Sequence, residues 1–165
     1  NPAGSFTVAA WVKLTGGSLS IRLDHGFAVT CEGCHLPATR ADEIVWVREC
    51  DIDHEIIRYV GATAPPADAI LHHRILASRP DCGALVQPYT LTPVSTRGRR
   101  GVRSLPPQFN GDRLALAHAV LEQIEIPRAP VVVGGQHYIA GGDRLADAVS
   151  AVVDLHRRLT PGSRA

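Results

Sequence analysis

Long apolar runs are missing from this 165-residue sequence. None approaches the roughly 20 residues that a bilayer-spanning helix needs, so no membrane crossing is expected. An excess of one charge is missing as well: 17 Lys and Arg stand against 16 Asp and Glu, a formal net charge of +1. No overall field then draws the chain toward nucleic acid or an anionic membrane, and recognition by charge must be local. Aromatic residues are scarce, at 5%. The basic knot Arg97, Arg99, Arg100 and Arg103 has no stacking platform beside it. That argues for a solvated loop, or a clamp for one carboxylate or phosphate, over a nucleic-acid surface. An initiating Met and a charged-then-apolar opening are both lacking, which leaves room for an upstream piece and hides the compartment. The four cysteines, Cys31, Cys34, Cys50 and Cys82, would make two disulfides in a secreted protein. A chain of this length builds a core without them, so reduced thiols and a cytoplasmic location are the expectation.

What is present is ordinary for a folded domain: 45% apolar and 20% charged residues, at a length that suits one domain over residues 1–165. Residues 6–14 are rich in β-formers and aromatics, and Gly16-Gly17 then predict a tight turn. Leu19, Ile21 and Leu23 alternate, Asp24-His25-Gly26 supply turn chemistry, and apolar residues return at 27–30, so 19–30 reads as a hairpin. Residues 43–48 predict a further strand and 56–60 a weaker one. After Pro65-Pro66, Asp68 opens a stretch in which Ile70, Leu71, Ile75 and Leu76 recur at helical spacing, closed by Arg79-Pro80-Asp81. Residues 83–90 begin as a buried strand that Pro88 should end or bend. Residues 91–110 look like loop, Asp112 caps a helix running to about 123, 131–133 form a short apolar strand, and a helix covers 143–159. Residues 1–13 make an atypical opening and 160–165 a frayed tail. Strands early and helices alternating later, with no internal repeat, predict an α/β or α+β sandwich.

Four stretches, GGSLSIRL, GFAVTCEG, ADAILHHRILASRPDCGALV and GDRLADAV, stand in the order and spacing of class II aldolase/adducin domains, which the chain resembles over most of its length. The resemblance implies an α/β/α sandwich around a central, largely antiparallel β-sheet. It also implies a small-molecule ligand and a homo-oligomer, commonly a tetramer with sites at subunit contacts. Members hold a divalent metal, usually zinc, with three histidines; it polarises a carbonyl and stabilises an enediolate while a Glu handles protons. Carried over residue by residue, the His-x-His pair falls on Gln87 and Tyr89 and the third histidine on Gln136. Amide and phenol are poor zinc ligands, so neither metal nor cofactor is expected. A one-residue slip would put His137 in the third place instead. The acid/base Glu corresponds to Asp68, one methylene shorter but able to transfer a proton. The phosphate-binding elements persist only in part: Gly17-Ser18-Leu19-Ser20 stands for Gly-Asn-x-Ser, Thr30 and Gly33 retain Thr-x-x-Gly, and Pro66-Ala67 replaces Ser-Ser. An unphosphorylated substrate is implied.

Three motifs keep alternatives open. Cys31-Glu32-Gly33-Cys34-His35 has the spacing of a c-type haem attachment site or of a metal or redox CxxC, and unpaired loop cysteines are the plain alternative. Asp68 and His72 stand at i and i+4 on one helix face, as an acid/base pair or with His72 a hydrogen-bonded structural residue, while His73 is expected at the surface. His137 and Tyr138 line the pocket of Gln87 and Tyr89 or are ordinary strand residues.

Two functions compete. The first is a metal-independent lyase, isomerase or dehydratase-type enzyme on a small unphosphorylated hydroxy or carbonyl compound, with a place in biosynthesis. Asp68, Tyr89 and His72 would be catalytic, and Gln87, Gln136, His137, Ser18, Thr30 and Gly33 would bind substrate, with hydrogen bonds replacing the metal at an oxyanion. The second is a non-catalytic binding or assembly module, a pseudoenzyme like the metal-free adducin head.

Overall fold

The computed structural model of the protein describes residues 14–160, apart from 55, 91–92, 110–111 and 127–128. The expected strand over 6–14 therefore lies outside the described residues except for its last position, and so does the tail beyond 160.

Alternation drives the first half of the chain into strands. In β1 (Leu14–Arg22) Ser18 and Ser20 are buried on one face while Ile21 is exposed on the other. The turn at Gly26 returns the chain as β2 (Phe27–Thr30), completing the predicted hairpin. Gly26 holds a φ of +77°, and a Cβ there would lie 2.0 Å from the Val47 carbonyl oxygen. β3 (Ile44–Asp51) buries Val45 and Val47 and exposes Ile44 and Trp46, and β4 (Ile56–Val60) follows. The apolar stripe after Pro66 forms α1 (Ala69–Ser78), burying Leu71, Ile75 and Leu76. Arg22 reaches the end of that helix, donating to the carbonyls of Leu76 at 2.5 Å and Arg79 at 2.9 Å, where a cation suits the exposed C-terminal carbonyls.

β5 (Ala84–Thr90) is the central strand. Pro88 was expected to end or bend it, and Gly16-Gly17 to form a turn; the structure joins these two errors. The glycines lie within β1, and the register puts Gly17 opposite Pro88, with a bulge between Leu14 and Gly16. A Cβ on Gly17 would sit 2.2 Å from the Gln87 carbonyl oxygen. The glycine is thus needed for close approach of two strands, and the strand runs through a proline that faces it.

The expected loop over 91–110 contains a short strand, β6 (Arg103–Leu105). Arg103 leaves the basic knot to bind the Gln123 carbonyl and Glu125, whereas Arg97, Arg99 and Arg100 are exposed. Asp112 caps α2 (Arg113–Leu121) by accepting from the Ala115 amide at 2.9 Å, and this helix stops two residues before the expected end. β7 (Val131–Val133), β8 (His137–Gly142) and α3 (Leu145–Leu159) complete the described chain.

One eight-stranded sheet results, in the order β4-β3-β2-β1-β5-β8-β7-β6, antiparallel except between β6 and β7. On one face α1 and α2 cover Phe27, Val29, Val45, Val47, Leu85 and Ile139; on the other, α3 covers Val86, Val132, Tyr138 and Ala140. This is the expected α/β/α sandwich around a largely antiparallel sheet. No helix among the described residues is long and apolar enough to cross a membrane.

Candidate functional site

Successive side chains of a strand point to opposite faces, so Leu85, Gln87 and Tyr89 share the α1 side of β5. There they meet Asp68, the residue at the N-cap of α1. An Asp in that place ordinarily accepts from the helix's own amides, which stabilises by about 1 kcal/mol. Asp68 makes no such bond. Its Oδ2 accepts instead from Gln87 Nε2 at 3.2 Å and from the Tyr89 hydroxyl, and its Oδ1 from Arg113 Nε at 3.2 Å. A carboxylate only accepts, so the amide must present nitrogen to it. Gln87 Oε1 is left buried without a partner among the described residues. Burial, and then the hydrogen bond and charge of Asp68, raise the Tyr89 phenol well above its ordinary value, so it stays protonated as a donor.

Asp68, Tyr89 and Arg113, with Gln87 buried behind them, border a cavity of about 250 Å³ whose other lining residues are Gly16, Gly17, Ser18, Glu32, Gly33, Cys34, Pro66 and Ala67. Glu32 accepts from the Ala67 amide at 3.3 Å, tying the turn after β2 to the segment before α1. Larger openings exist elsewhere, such as one of about 500 Å³ beside Trp46 and Arg48, but they lack this convergence of buried polar groups.

His72 lies one turn below Asp68 with no exposed surface. Its Nε2 pairs with Ser18 Oγ at 3.0 Å and its Nδ1 with Ser20 Oγ at 2.7 Å. Burial pushes its pKa down to about 4, against the pull of the Asp68 carboxylate, so the ring is neutral. One ring nitrogen then donates and the other accepts. His72 fixes the Ser18 hydroxyl at the cavity wall but does not line the cavity itself. His73, expected at the surface, is half-buried, 6.3 Å from the Phe27 ring.

The remaining predicted site residues divide. Ser18 and Gly33 line the cavity. Thr30 is fully buried, and its hydroxyl accepts from the Leu19 amide at 3.2 Å, which ties β1 to β2; it is not among the residues lining the cavity. Gln136 is exposed in the turn before β8, where its carbonyl accepts from the Thr90 amide at 2.9 Å; it does not join Gln87 and Tyr89. The cross-strand partner of Tyr89 is His137, with ring centroids 4.4 Å apart. Burial lowers the His137 pKa, with Asp68 opposing and Arg113 adding to the effect. Arg113 is the residue that sequence reasoning missed. Both thiols of the CxxCH segment are buried, and Cys34 Sγ bonds Thr39 Oγ1 at 3.2 Å, so they lack the exposure that thioether attachment of a haem requires.

A zinc ion does not fit these donors. The positions that would supply imidazole carry an amide already committed to Asp68, a phenol held protonated and an exposed glutamine; of the imidazoles nearby, His72 has both ring nitrogens engaged by Ser18 and Ser20, which leaves His137. No group of three or more His, Cys, Asp or Glu is placed to hold a metal among the described residues.

Comparison with known proteins agrees with this architecture. The chain is 37% identical over 84 residues to the 5-methylthioribulose-1-phosphate/5-deoxyribulose-1-phosphate aldolase of Rhodospirillum rubrum, covering 51% of this chain and 34% of that protein. The chain thus spans about a third of the length of the curated relative it matches. The N-terminal class II aldolase domain of a conserved protein from Thermoplasma acidophilum superposes with a TM-score of 0.70 at 14% identity, over 94% of this chain and 88% of that one. YgbL of Klebsiella pneumoniae superposes with a TM-score of 0.66 at 20% identity, over 94% and 83%. At such identities these structures show the fold alone. The family model itself, class II aldolase and adducin N-terminal domain, matches residues 4–105, more than half of the sequence, and the chain belongs to that family.

Proposed function

We propose that this chain is a metal-independent lyase or isomerase that enolises a small unphosphorylated hydroxy or carbonyl compound. The observation that carries this is the Asp68 carboxylate, withheld from its helix and held at the cavity wall by Tyr89, Gln87 and Arg113. Asp68 would take a proton from the carbon beside a carbonyl, and the electron pair would move onto the carbonyl oxygen, which the Tyr89 hydroxyl meets. Returning the proton to the former carbonyl carbon, while the α-hydroxyl passes its own proton to the enolate oxygen, completes an isomerisation; collapse of the enolate with expulsion of a β-hydroxyl, which takes the proton from Asp68 and leaves as water, completes a dehydration. Glu32 supports an unphosphorylated substrate, because its carboxylate borders the segment where the family's serines give way to Pro66-Ala67. The Rhodospirillum relative is named for phosphorylated ketoses, so phosphorylated probes belong in the test.

Dihydroxyacetone, hydroxyacetone and their phosphates in D2O, followed by proton NMR after chelator treatment, provide that test. Loss of C–H signal with the free ketones is expected, with Asp68→Asn slowing exchange by about 10²-fold or more. Dependence on added zinc, or equal exchange by Asp68→Asn, would overturn the assignment.

The alternative of an assembly module draws on one observation. Ile21, Ala28, Trp46 and Val60 lie in register across β1 to β4 on the sheet face that carries Val86, beyond the part that α3 covers, with Ile21, Trp46 and Val60 exposed. Such a row suits a self-associating surface, and homo-oligomerisation is part of our proposal in either case. The four free thiols fit a reducing cytoplasm under the same proposal.

A further inference from the structure

We infer that Arg113 is the electrophile of this site, and that the substrate it serves is an uncharged carbonyl compound. The inference rests on the enolisation proposed above and names the residue that carries the developing charge. Arg113 is the first residue of α2, set at the cavity wall by the Asp112 cap, and α2 packs against α1, which carries Asp68. Only Nε is engaged, on Asp68 at 3.2 Å; the two terminal nitrogens have no hydrogen-bond partner among the described residues. The side chain keeps 36% of its surface exposed, so its free N–H groups remain open to a ligand.

Charge conservation makes the case. In the resting cavity the guanidinium is paired with the Asp68 carboxylate. When Asp68 accepts a proton from carbon, the carboxylate becomes neutral and one negative charge appears on the substrate oxygen. The cation therefore exchanges one anion for another within reach of the same fork, and no net charge is created in a poorly solvated site. Tyr89 can follow, passing its hydrogen bond from Asp68 to the same oxygen. A substrate already carrying a carboxylate or phosphate would compete for Arg113, the one cation lining the cavity among the described residues, against the lining carboxylates Asp68 and Glu32. An uncharged hydroxy-ketone or hydroxy-aldehyde meets no such competition.

Acetohydroxamate, planar and uncharged until it ionises, is the probe: its oxygens imitate those of an enediolate. Titration calorimetry on chelator-treated protein should show binding to the wild type. Arg113→Gln should weaken it about tenfold or more and Arg113→Lys less, with melting temperatures unchanged, since the side chain lies at the start of α2. Ketone exchange should fall by about 10²-fold in Arg113→Ala, on the scale of one lost oxyanion donor, and recover in part with added guanidinium ion, which a purely structural role would not allow. Binding that ignores Arg113→Gln, no binding to the wild type, or exchange unchanged in Arg113→Ala each overturns the inference. Wild-type exchange with unchanged Arg113 variants would leave the enolisation standing while removing Arg113 from it. Arg113-dependent binding without exchange in any protein would do the reverse.

Discussion

The two faces of β5 are buried by different means. Toward α3, Val86 packs with Val132, Tyr138, Ala140, Val152 and Leu155, a seam held by apolar area. Toward α1, Gln87 and Tyr89 meet Asp68, and beside them Ser18, Ser20 and His72 are buried and bonded to one another. Apolar contact tolerates small misfits, because each atom pair contributes about 0.1–0.2 kcal/mol. Buried hydrogen bonds do not, since one orphaned group costs about 1–3 kcal/mol. One strand thus carries an adaptable seam on one side and a geometrically exacting one on the other, and the exacting side is where the cavity lies.

The widest gap between the seams should appear on truncation. His72→Ala removes a ring with no exposed surface and strands the hydroxyls of Ser18 and Ser20, so a loss of about 3–5 kcal/mol is expected in urea unfolding. Val152→Ala, 3% exposed against the apolar seam, should cost about 1–3 kcal/mol. If the two losses were equal, the polar network would contribute nothing beyond its volume.

Acid sharpens the same contrast. The folded-state pKa of His72 is about 4, below the ordinary histidine value of 6.5. The unfolded chain therefore takes up a proton near pH 6.5 while the folded chain does not. Stability is retained above that pH and falls as pH drops toward 4, by about 3 kcal/mol at most from this residue. His137 and His156 are lowered by burial too and act in the same direction. Stability measured between pH 7 and 4.5 should decline less steeply in His72→Gln than in the wild type; parallel curves would mean that the buried ring does not resist protonation.

Much of the sandwich was legible because periodicity is a local signal. The alternation in β3 and the stripes of α1 and α3 state which side is buried within a few residues. The errors came where a distant strand decides the matter. Gly16-Gly17 resembles a turn until the Gln87 carbonyl stands against it, and Pro88 resembles a strand end until it faces Gly17. The site behaved alike. Asp68, Gln87 and Tyr89 were legible through the family resemblance, but a one-residue register decided between Gln136 and His137, because each step along a strand reverses the face. Arg113 left no trace, since nothing local distinguishes a first-turn arginine from a solvated one. Its partner is 45 residues away.

The smallest effect is expected on the half of the α3 face that none of the described helices covers. Val60 is 54% exposed on β4, at the edge of the sheet, opposite Trp46. In an isolated subunit Val60→Lys should change stability by no more than about 0.5 kcal/mol, as surface substitutions do. Edge strands that carry lysine resist pairing with other chains, so the same substitution should lower the mass seen by light scattering if the row through Ile21, Trp46 and Val60 is where subunits meet. A constant mass would locate any subunit contact elsewhere. A stability loss near that of Val152→Ala, measured on a protein that is monomeric before and after, would instead show that this face is core, and the contrast between a covered and an uncovered half of the sheet would fail.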